Sequence, residues 1–415
     1  MIRKSYKFGG ASVKNADGVR NAAEIIRQEE SVIVVVSAMG KTTNALEKVV
    51  DAYFKGESTD EWLEESKGYH LEILNALFPE ENSPAMESLN KVFAYCQKYL
   101  EHAQGKSYDE VYDQIVPAGE LLSTRILSAY LQAQEVDHHW LDARKLIVTD
   151  DRFRKANILW AETSEAIHHA VKEKGIYLTQ GFIGGTSENR MTTLGREGSD
   201  YSASIFTNIL ETESLTVWKD VEGILNADPR YFRNTEKLDH LSFREAIELA
   251  YYGATIIHPK TIKPLQNKNI PLFIRSFEDP ELEGTRVDSD TSDDTQLPIY
   301  IYKPSLVLLS ISPKDFSFIG EKQLSDIFSI LYKHKLEVSM MQNSAINFSL
   351  VLDAEKSKLH AALDEIREDF RVLYNENLQL MTVRHYNQKV LQDIVSGKEV
   401  LMEQKTRGTL KILFR

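Results

Sequence analysis

Close to the start of the chain stands Lys7-Phe8-Gly9-Gly10-Ala11-Ser12. A strand pattern, Ile2 to Phe8, runs into the glycines, and a helical pattern opens near Asn15. Strand, glycine turn and helix together aim backbone N–H groups and a positive helix end at an anion. Two residues without Cβ let the backbone come close to it, and Lys7 adds a point charge. The same glycines are also consistent with an ordinary turn. A second candidate is Thr192-Thr193-Leu194-Gly195-Arg196-Glu197-Gly198-Ser199-Asp200-Tyr201. A helix beginning near Ser199 would have Arg196 and two glycines about its N-terminus. That combination suits an anion, because a guanidinium can grip a carboxylate in two places. Asp200 is either a dipole partner or the partner of a lysine in the same pocket. Glu120, in the first turn of a helix opened by Val116-Pro117-Ala118-Gly119, either serves the helix dipole or binds a substrate amine.

The elements that must position these residues read as an α/β fold. Ser31 to Ser37 is short, β-branched and unbroken by a polar residue, the pattern of a strand buried on both faces of a parallel sheet. With the strand at Lys7 and the helix between, it forms a βαβ unit. Ser37-Ala38-Met39-Gly40-Lys41-Thr42-Thr43-Asn44 follows, either a ligand-contacting loop or a plain connection, with Thr43 or Asn44 as helix cap. Asp51 to Asp113 is charged and helix-rich. His70 and His102 there read as packing or solvated residues, and Cys96 sits on an apolar helical stripe as core. Further strands are Val136 to Leu141, Gly175 to Phe182, Ser214 to Lys219 and Ile270 to Ser276. Asp220-Val221-Glu222-Gly223 and Asp228-Pro229 are turn signatures. His258, before Pro259, reads as structural.

Asp288 to Pro298 is rich in Asp, Ser and Thr and reads as a linker. Beyond it come a strand (Ser305 to Ser312), a helix (Glu321 to His334), strands at Glu337 to Gln342 and Ile346 to Leu352, a helix (Lys356 to Glu368) and a strand (Arg371 to Tyr374). That βαββαβ order is ferredoxin-like. Gln379 to His385, a weak helix, Glu399 to Gln404 and Thr409 to Phe414 begin a second such module and stop short. The predicted domains are 1–292, 299–376 and 377–415.

Composition narrows the class. At 415 residues, two or three domains are expected. Hydrophobic residues are 42% and charged residues 27%, as in ordinary globular proteins. A net charge of -13 argues against nucleic acid as partner. An anionic substrate would need a local basic pocket. One cysteine permits neither an internal disulfide nor a cysteine metal cluster. No signal-peptide core or membrane-length apolar run is evident, so a cytoplasmic protein is expected.

Six motifs in order then carry a resemblance. Lys-Phe-Gly-Gly-x-Ser, Ser-Ala-Met-Gly-Lys-Thr-Thr-Asn, Gly-Glu-Leu-Leu-Ser-Thr, Thr-Gln-Gly-Phe-Ile-Gly, Thr-Thr-Leu-Gly-Arg-x-Gly-Ser-Asp-Tyr and Asp-Val-x-Gly-Ile-x-x-x-Asp-Pro-Arg together closely resemble aspartate kinase, of the amino-acid kinase family. The match runs from Lys7 to about Arg286, and the remainder resembles the family's ACT regulatory region. The resemblance implies a three-layer α/β fold with a mainly parallel sheet, followed by ferredoxin-like α+β modules. It implies ATP-dependent phosphorylation of the aspartate side chain, with Mg2+ accompanying ATP and no dedicated metal motif. It gives Lys7 and Asp200 catalytic roles, Asp200 holding Lys7. It gives aspartate to Thr43, Glu120, Arg196 and Ser199. It gives ATP to Lys7, Phe8, Gly9, Gly10, Ser37, Lys219, Asp220, Leu225, Arg230 and Thr255. A homodimer or larger homo-oligomer and an amino-acid effector at the ACT region are implied as well.

Some positions depart from the common pattern. Lys219 stands where a threonine is frequent, Leu225 where a tyrosine is, and Thr255 where some members place a lysine. Lysine-sensitive relatives tend to show Val-Asp and Ser-Glu where this chain has Val338-Ser339 and Ser344-Ala345. Two carboxylates that would face an effector's amines are missing, so lysine inhibition is expected to be weak or absent. The competing readings are another amino-acid kinase acting on glutamate or acetylglutamate, and a non-catalytic effector-binding subunit. No GxGxxG-bearing segment follows Phe414, which argues against a fused homoserine dehydrogenase.

Overall fold

The computed structural model describes residues 2–79, 84–254, 257–295, 297–315, 317–353, 355–387 and 397–415. The chain divides into two compact units. The first comprises residues 1–224, 237–250 and 255–294; the second comprises 225–236, 251–254 and 295–415.

An eight-stranded sheet organises the first unit. From one edge its strands run His240–Ser242, Thr285–Asp288, Leu272–Ser276, Ser214–Lys219, Lys4–Phe8, Val32–Val36, Ile176–Gln180 and His139–Trp140. Every pairing is parallel except that of Leu272–Ser276 with Thr285–Asp288. Val32–Val36 is apolar throughout and fully buried, as a central parallel strand must be. Register matters most here. Phe8 lies opposite Val36 on one side and Trp218 on the other, and Val36 lies opposite Gln180. Four strands therefore end flush. Their following loops, Gly9-Gly10, Ser37 to Gly40, Gly181-Phe182 and Lys219-Asp220, emerge together along one edge. In open α/β sheets that edge is where ligands bind.

Phe8 anchors the edge from below. Its ring is fully buried, stacked on Trp218 at 6.2 Å and edge-on to Phe277 at 5.9 Å. Helix Ala16–Arg27 starts on Asn15, whose side chain accepts the Gly18 N–H at 2.9 Å. Helix Thr42–Lys55 begins two residues earlier than a cap at Thr43 would place it. Lys41 takes the cap position, and Thr42 instead donates its hydroxyl to Met39 O at 2.6 Å. Cys96 is fully buried, and burial pushes its thiol up to about 12, so it is an inert core group. No described helix is long and apolar enough to cross a membrane.

The second unit is built on a six-stranded antiparallel sheet. Its order is Glu337–Asn343, Phe348–Asp353, Ile299–Pro313, Phe370–Arg384, Thr409–Phe414 and Val400–Lys405. Helices Glu321–Lys333 and Lys356–Asp369 pack against each other and complete the βαββαβ unit. Two strands are much longer than expected. Ile299–Pro313 includes residues before Ser305, because Pro304 sits beside a bulge between Lys303 and Leu306, with Ser305 at φ +62°. Phe370–Arg384 joins two stretches that the sequence reading kept apart. Its early residues pair with Ser310 to Pro313 and its later ones with Ile299 to Lys303. The expected second module is thus an extension of the same sheet. The interval after it includes residues 388–396, outside the described residues.

A buried apolar cluster spans both halves of that sheet, with Leu306, Leu308 and Val351 against Leu378, Leu380, Met402 and Leu413. A chain ended after residue 376 would lose the second set and leave the first in water. We expect it to be recovered aggregated or without a cooperative urea transition. A soluble, cooperatively unfolding product would show that residues 299–376 stand alone.

Candidate active site

Lys7 occupies the next-to-last position of its strand, and Asp200 lies in the first turn of helix Gly198–Leu210. Lys7 Nζ and Asp200 Oδ1 are 2.6 Å apart, and both side chains are nearly inaccessible. Burial pushes the Asp200 carboxyl up. The charges of Lys7 and Lys219 and the Lys7 hydrogen bond outweigh it, and the carboxyl is held below its ordinary value. An ammonium has three donors, so the pair leaves Lys7 with hydrogens to offer elsewhere. A Cβ added at Gly9 would stand 3.5 Å from Lys7 Nζ, so the first glycine flanks the ammonium directly.

Close backbone approach shapes the rest. A Cβ on Gly10 would meet Ala38 O at 2.6 Å, and Gly10 O accepts the Gly40 N–H at 2.9 Å. The two loops therefore interlock as backbone. Gly181 does the same for the Asp200 helix, where its Cβ would lie 2.5 Å from Ser199 Cβ. Ser199 is buried at that contact. Ser37 donates its N–H to Phe8 O at 3.1 Å, which extends the ladder one residue past the strand. Thr43 is half-buried in the first turn of its helix. Arg196 is exposed in the turn before the Asp200 helix and has no hydrogen bond or ion pair among the described residues.

Glu120 is the contrasting carboxylate. It is 3% exposed in the first turn of helix Ala118–Ala133. Its Oε1 accepts the Ala38 N–H at 3.3 Å, and its Oε2 has no partner among the described residues. Burial pushes the carboxyl up to about 8, against the Ala38 bond and the charge of Lys7. A buried carboxylate oxygen without a donor is costly, and it suits a site that a cationic group fills on binding.

Other candidates fall elsewhere. The Phe8 ring is turned into the core, so any contact it makes in the site falls to its backbone. Lys219 is half-buried and Asp220 exposed at the end of their strand. Leu225 and Arg230 belong to the second unit. Arg230 Nε and Nη2 grip the Asp228 carboxylate at 2.6–3.0 Å. Thr255 lies outside the described residues. His258 caps helix Pro259–Lys268, accepting the Lys260 N–H at 3.1 Å, a structural task.

Asp113 escaped the sequence reading, because it looked like one more charge in a solvated helix. It is fully buried and pushed up to about 6 by burial. It accepts from Thr193 N (2.8 Å), Thr193 Oγ1 (2.7 Å) and Arg154 N (2.9 Å). It thus fixes the segment that leads into Arg196 and Asp200. Ala38 N–H was missed as well, being backbone.

The sequence profile of the amino acid kinase family matches residues 6–276. Lysine-sensitive aspartokinase 3 of Escherichia coli (strain K12) is 31% identical over 356 residues, 85% of this chain and 78% of the relative. The chain belongs to the amino acid kinase family, as a member of the aspartokinases. Aspartokinase 1, chloroplastic, of Arabidopsis thaliana is 31% identical over 401 residues, 90% of this chain and 68% of the relative. Among solved aspartokinases, E. coli aspartokinase III in complex with lysine and aspartate superposes with a TM-score of 0.83 at 28% identity, covering 99% of this chain and 95% of that one. Its complex with aspartate and ADP gives the same TM-score at 27% identity, covering 99% and 96%. The aspartokinase fold accounts for both units, the mostly parallel sheet and the antiparallel one.

The Glu120 carboxyl holds its proton more tightly when folded than when unfolded. Between roughly pH 4.5 and 8 the native state therefore binds more protons, and stability falls as pH rises. Glu120→Gln removes that penalty. The variant without ligand should lose less melting temperature between pH 5 and pH 9 than the parent does. Parallel melting curves would show that Glu120 carries no such strain.

Proposed function

We propose that the chain transfers the γ-phosphoryl group of ATP to the side-chain carboxylate of L-aspartate, giving 4-phospho-L-aspartate and ADP, the first step toward lysine, threonine and methionine. The observation that carries this reading is the buried Lys7–Asp200 pair on the edge where four strands end together. Membership of the aspartokinases supports the substrate, as does a relative solved with aspartate and ADP.

The chemistry asks for alignment and charge rather than a base. The aspartate side chain has an ordinary pKa of about 3.9 and is already ionised at neutral pH. One carboxylate oxygen attacks the γ-phosphorus. The bond to the β–γ bridging oxygen breaks, and ADP leaves with that electron pair. Lys7 meets the charge on the transferring group, joined by the N–H groups of Gly9 and Gly10 and by Ser37. Asp200 keeps the ammonium aimed. Because its carboxyl is held low, it acts as an orienter and not as a proton acceptor. Glu120 takes the substrate amine, which would supply its unpartnered oxygen with a donor. Arg196 takes a carboxylate, and Thr43 and Ser199 complete the aspartate pocket. Lys219, Asp220, Leu225, Arg230 and Thr255 are assigned to the nucleotide.

Mg2+ is expected with the nucleotide. Among the described residues no group of three His, Cys, Asp or Glu could hold a metal ion. The cation is proposed to be carried largely on phosphate oxygens and water, with Asp220, exposed in the strand-end loop, as a carboxylate that would assist.

For regulation, an amino-acid effector at the second unit is the family's arrangement. Ser339 and Ala345 occupy positions where a lysine-binding relative would offer carboxylates. Ser339 O already accepts Lys411 Nζ at 3.1 Å. A homodimer or larger assembly is proposed. Met341, on an edge strand of the antiparallel sheet, and Tyr332 are exposed enough to support one.

Two measurements test this. In a hydroxamate or ADP-coupled assay, aspartate should turn over and glutamate should not. Lys7→Ala should cut turnover by roughly 10²–10³-fold or more, in a variant that still folds but melts lower because Asp200 is left buried without Lys7; near-normal turnover would remove Lys7 from its role. Lysine titrated into the same assay should leave the rate nearly constant in the millimolar range, and submillimolar inhibition would overturn the effector reading.

A further inference from the structure

A cavity of about 300 Å³ lies in the first unit, apart from Lys7 and Asp200, and the reaction described above makes no use of it. One wall is helix Ala118–Ala133, through Ala118, Leu121 and Arg125. These are spaced at i, i+3 and i+7 and so share one face. Lys91 and Tyr95 of helix Pro84–Glu101 also line it, together with Trp140 and Arg144.

The chemistry of this lining is specific. The Arg125 guanidinium lies 3.3 Å from the centre of the Trp140 ring. It makes no hydrogen bond or ion pair among the described residues. Its neighbours are already committed. Asp142, the acid within electrostatic reach of Arg125, is bonded through both oxygens to Arg144 at 2.7–2.8 Å. Lys91 is paired with Glu87. Each acid here is matched by a base, and one guanidinium is left over with all its donors. The Trp140 ring lies against it, and Leu121 and Tyr95 line the same cavity. The volume falls at the small end of ligand pockets.

We propose that this cavity is a second ligand site, for a small organic anion whose carboxylate or phosphate meets Arg125 and whose flat or apolar body lies among Leu121, Tyr95 and Trp140. Arg144 Nη1, which reaches only Met191 Sδ at 3.9 Å, is a second donor for the same anion. The site bears on catalysis through two elements. The wall helix carries Glu120 in its first turn, next to the wall residue Leu121. Met191, also in the lining, begins strand Met191–Thr193, which runs on toward Arg196 and Asp200. A ligand that shifts either element shifts aspartate binding. This coupling rests on the proposed roles of Glu120 and Arg196; the binding itself does not.

The full-length protein would be titrated by calorimetry with phenyl phosphate, benzoate, inorganic phosphate and benzyl alcohol, with and without saturating aspartate and ADP. Phenyl phosphate or benzoate should bind saturably in both conditions, and whichever is tighter identifies the anionic group. Inorganic phosphate and benzyl alcohol, each lacking half of the ligand, should bind roughly tenfold more weakly or not at all. Arg125→Gln should weaken binding roughly tenfold or more, the loss expected for a charged hydrogen bond. Arg125→Lys, which keeps the charge and stem, serves if the glutamine variant fails to fold, and should show a smaller loss. Both variants should keep kcat without the probe. The bound anion should shift the aspartate KM of the parent and not of Arg125→Gln. Absence of saturable binding by both aromatic anions, or binding indifferent to changes at Arg125 and Arg144, would overturn the site. Saturable binding with an unmoved KM would overturn the coupling.

Discussion

The ion pair between Lys7 and Asp200 is the constraint around which the catalytic unit is arranged. Burying two charges costs several kcal/mol per ion, which their attraction only partly repays. Such a pair is a poor way to add stability. It is a good way to hold an ammonium at one place with donors to spare. The arrangement requires the first strand to end flush with its neighbours and the Asp200 helix to lie close above that end. Both requirements are met by backbone. Phe8 is in register with Val36 and Trp218, and Gly181 admits Ser199 at a distance that no side chain would allow.

The site then sets two carboxylates to opposite tasks. Asp200 has Lys7 and Lys219 beside it and stays ionised despite its burial. Among the described residues Glu120 has one backbone donor at 3.3 Å and an oxygen with none, and burial pushes it up to about 8. Environment rather than residue type separates them. One is satisfied within the protein and aims a cation. The other is left incomplete, and an amine from outside would complete it. Lys7 and Lys219 stand near the ends of two paired strands, and the charges of both act on Asp200.

Much of this was legible in the sequence because it depends on local chemistry. Glycines at a strand end, an unbroken run of β-branched residues and an arginine before a helix each have a short-range physical meaning. The Lys7–Asp200 contact was readable only as a pairing of motifs, since nothing local links residues so far apart. Asp113 was not legible. Its partners are Thr193 and the backbone of Arg154, and only the fold brings them near. The long strand Phe370–Arg384 was missed because Asn375, Glu376 and Asn377 look like a turn. Tertiary pairing on both sides overrides that preference, with Asn377 at φ +59° absorbing the irregularity.

Asn226 ties the segment that carries Leu225 and Arg230 to the antiparallel sheet of its own unit. Segment 225–236 belongs to the second unit, with the antiparallel sheet. Asn226 O accepts the Tyr300 N–H at 2.7 Å, and its side chain bonds Glu236 N at 2.8 Å and Pro298 O at 3.3 Å. Tyr231 packs on Tyr302 at 4.6 Å, and Phe232 packs on Tyr300 at 5.5 Å. The loop bearing Leu225 and Arg230 is therefore fixed to strand Ile299–Pro313, which itself spans both halves of the sheet. A change in the pairing of that strand reaches the loop through one hydrogen bond and two ring contacts. Given the nucleotide role assigned to Leu225 and Arg230, an effector acting on the sheet needs no long relay to alter ATP binding, because the residues it must move are already attached to the strand it would disturb.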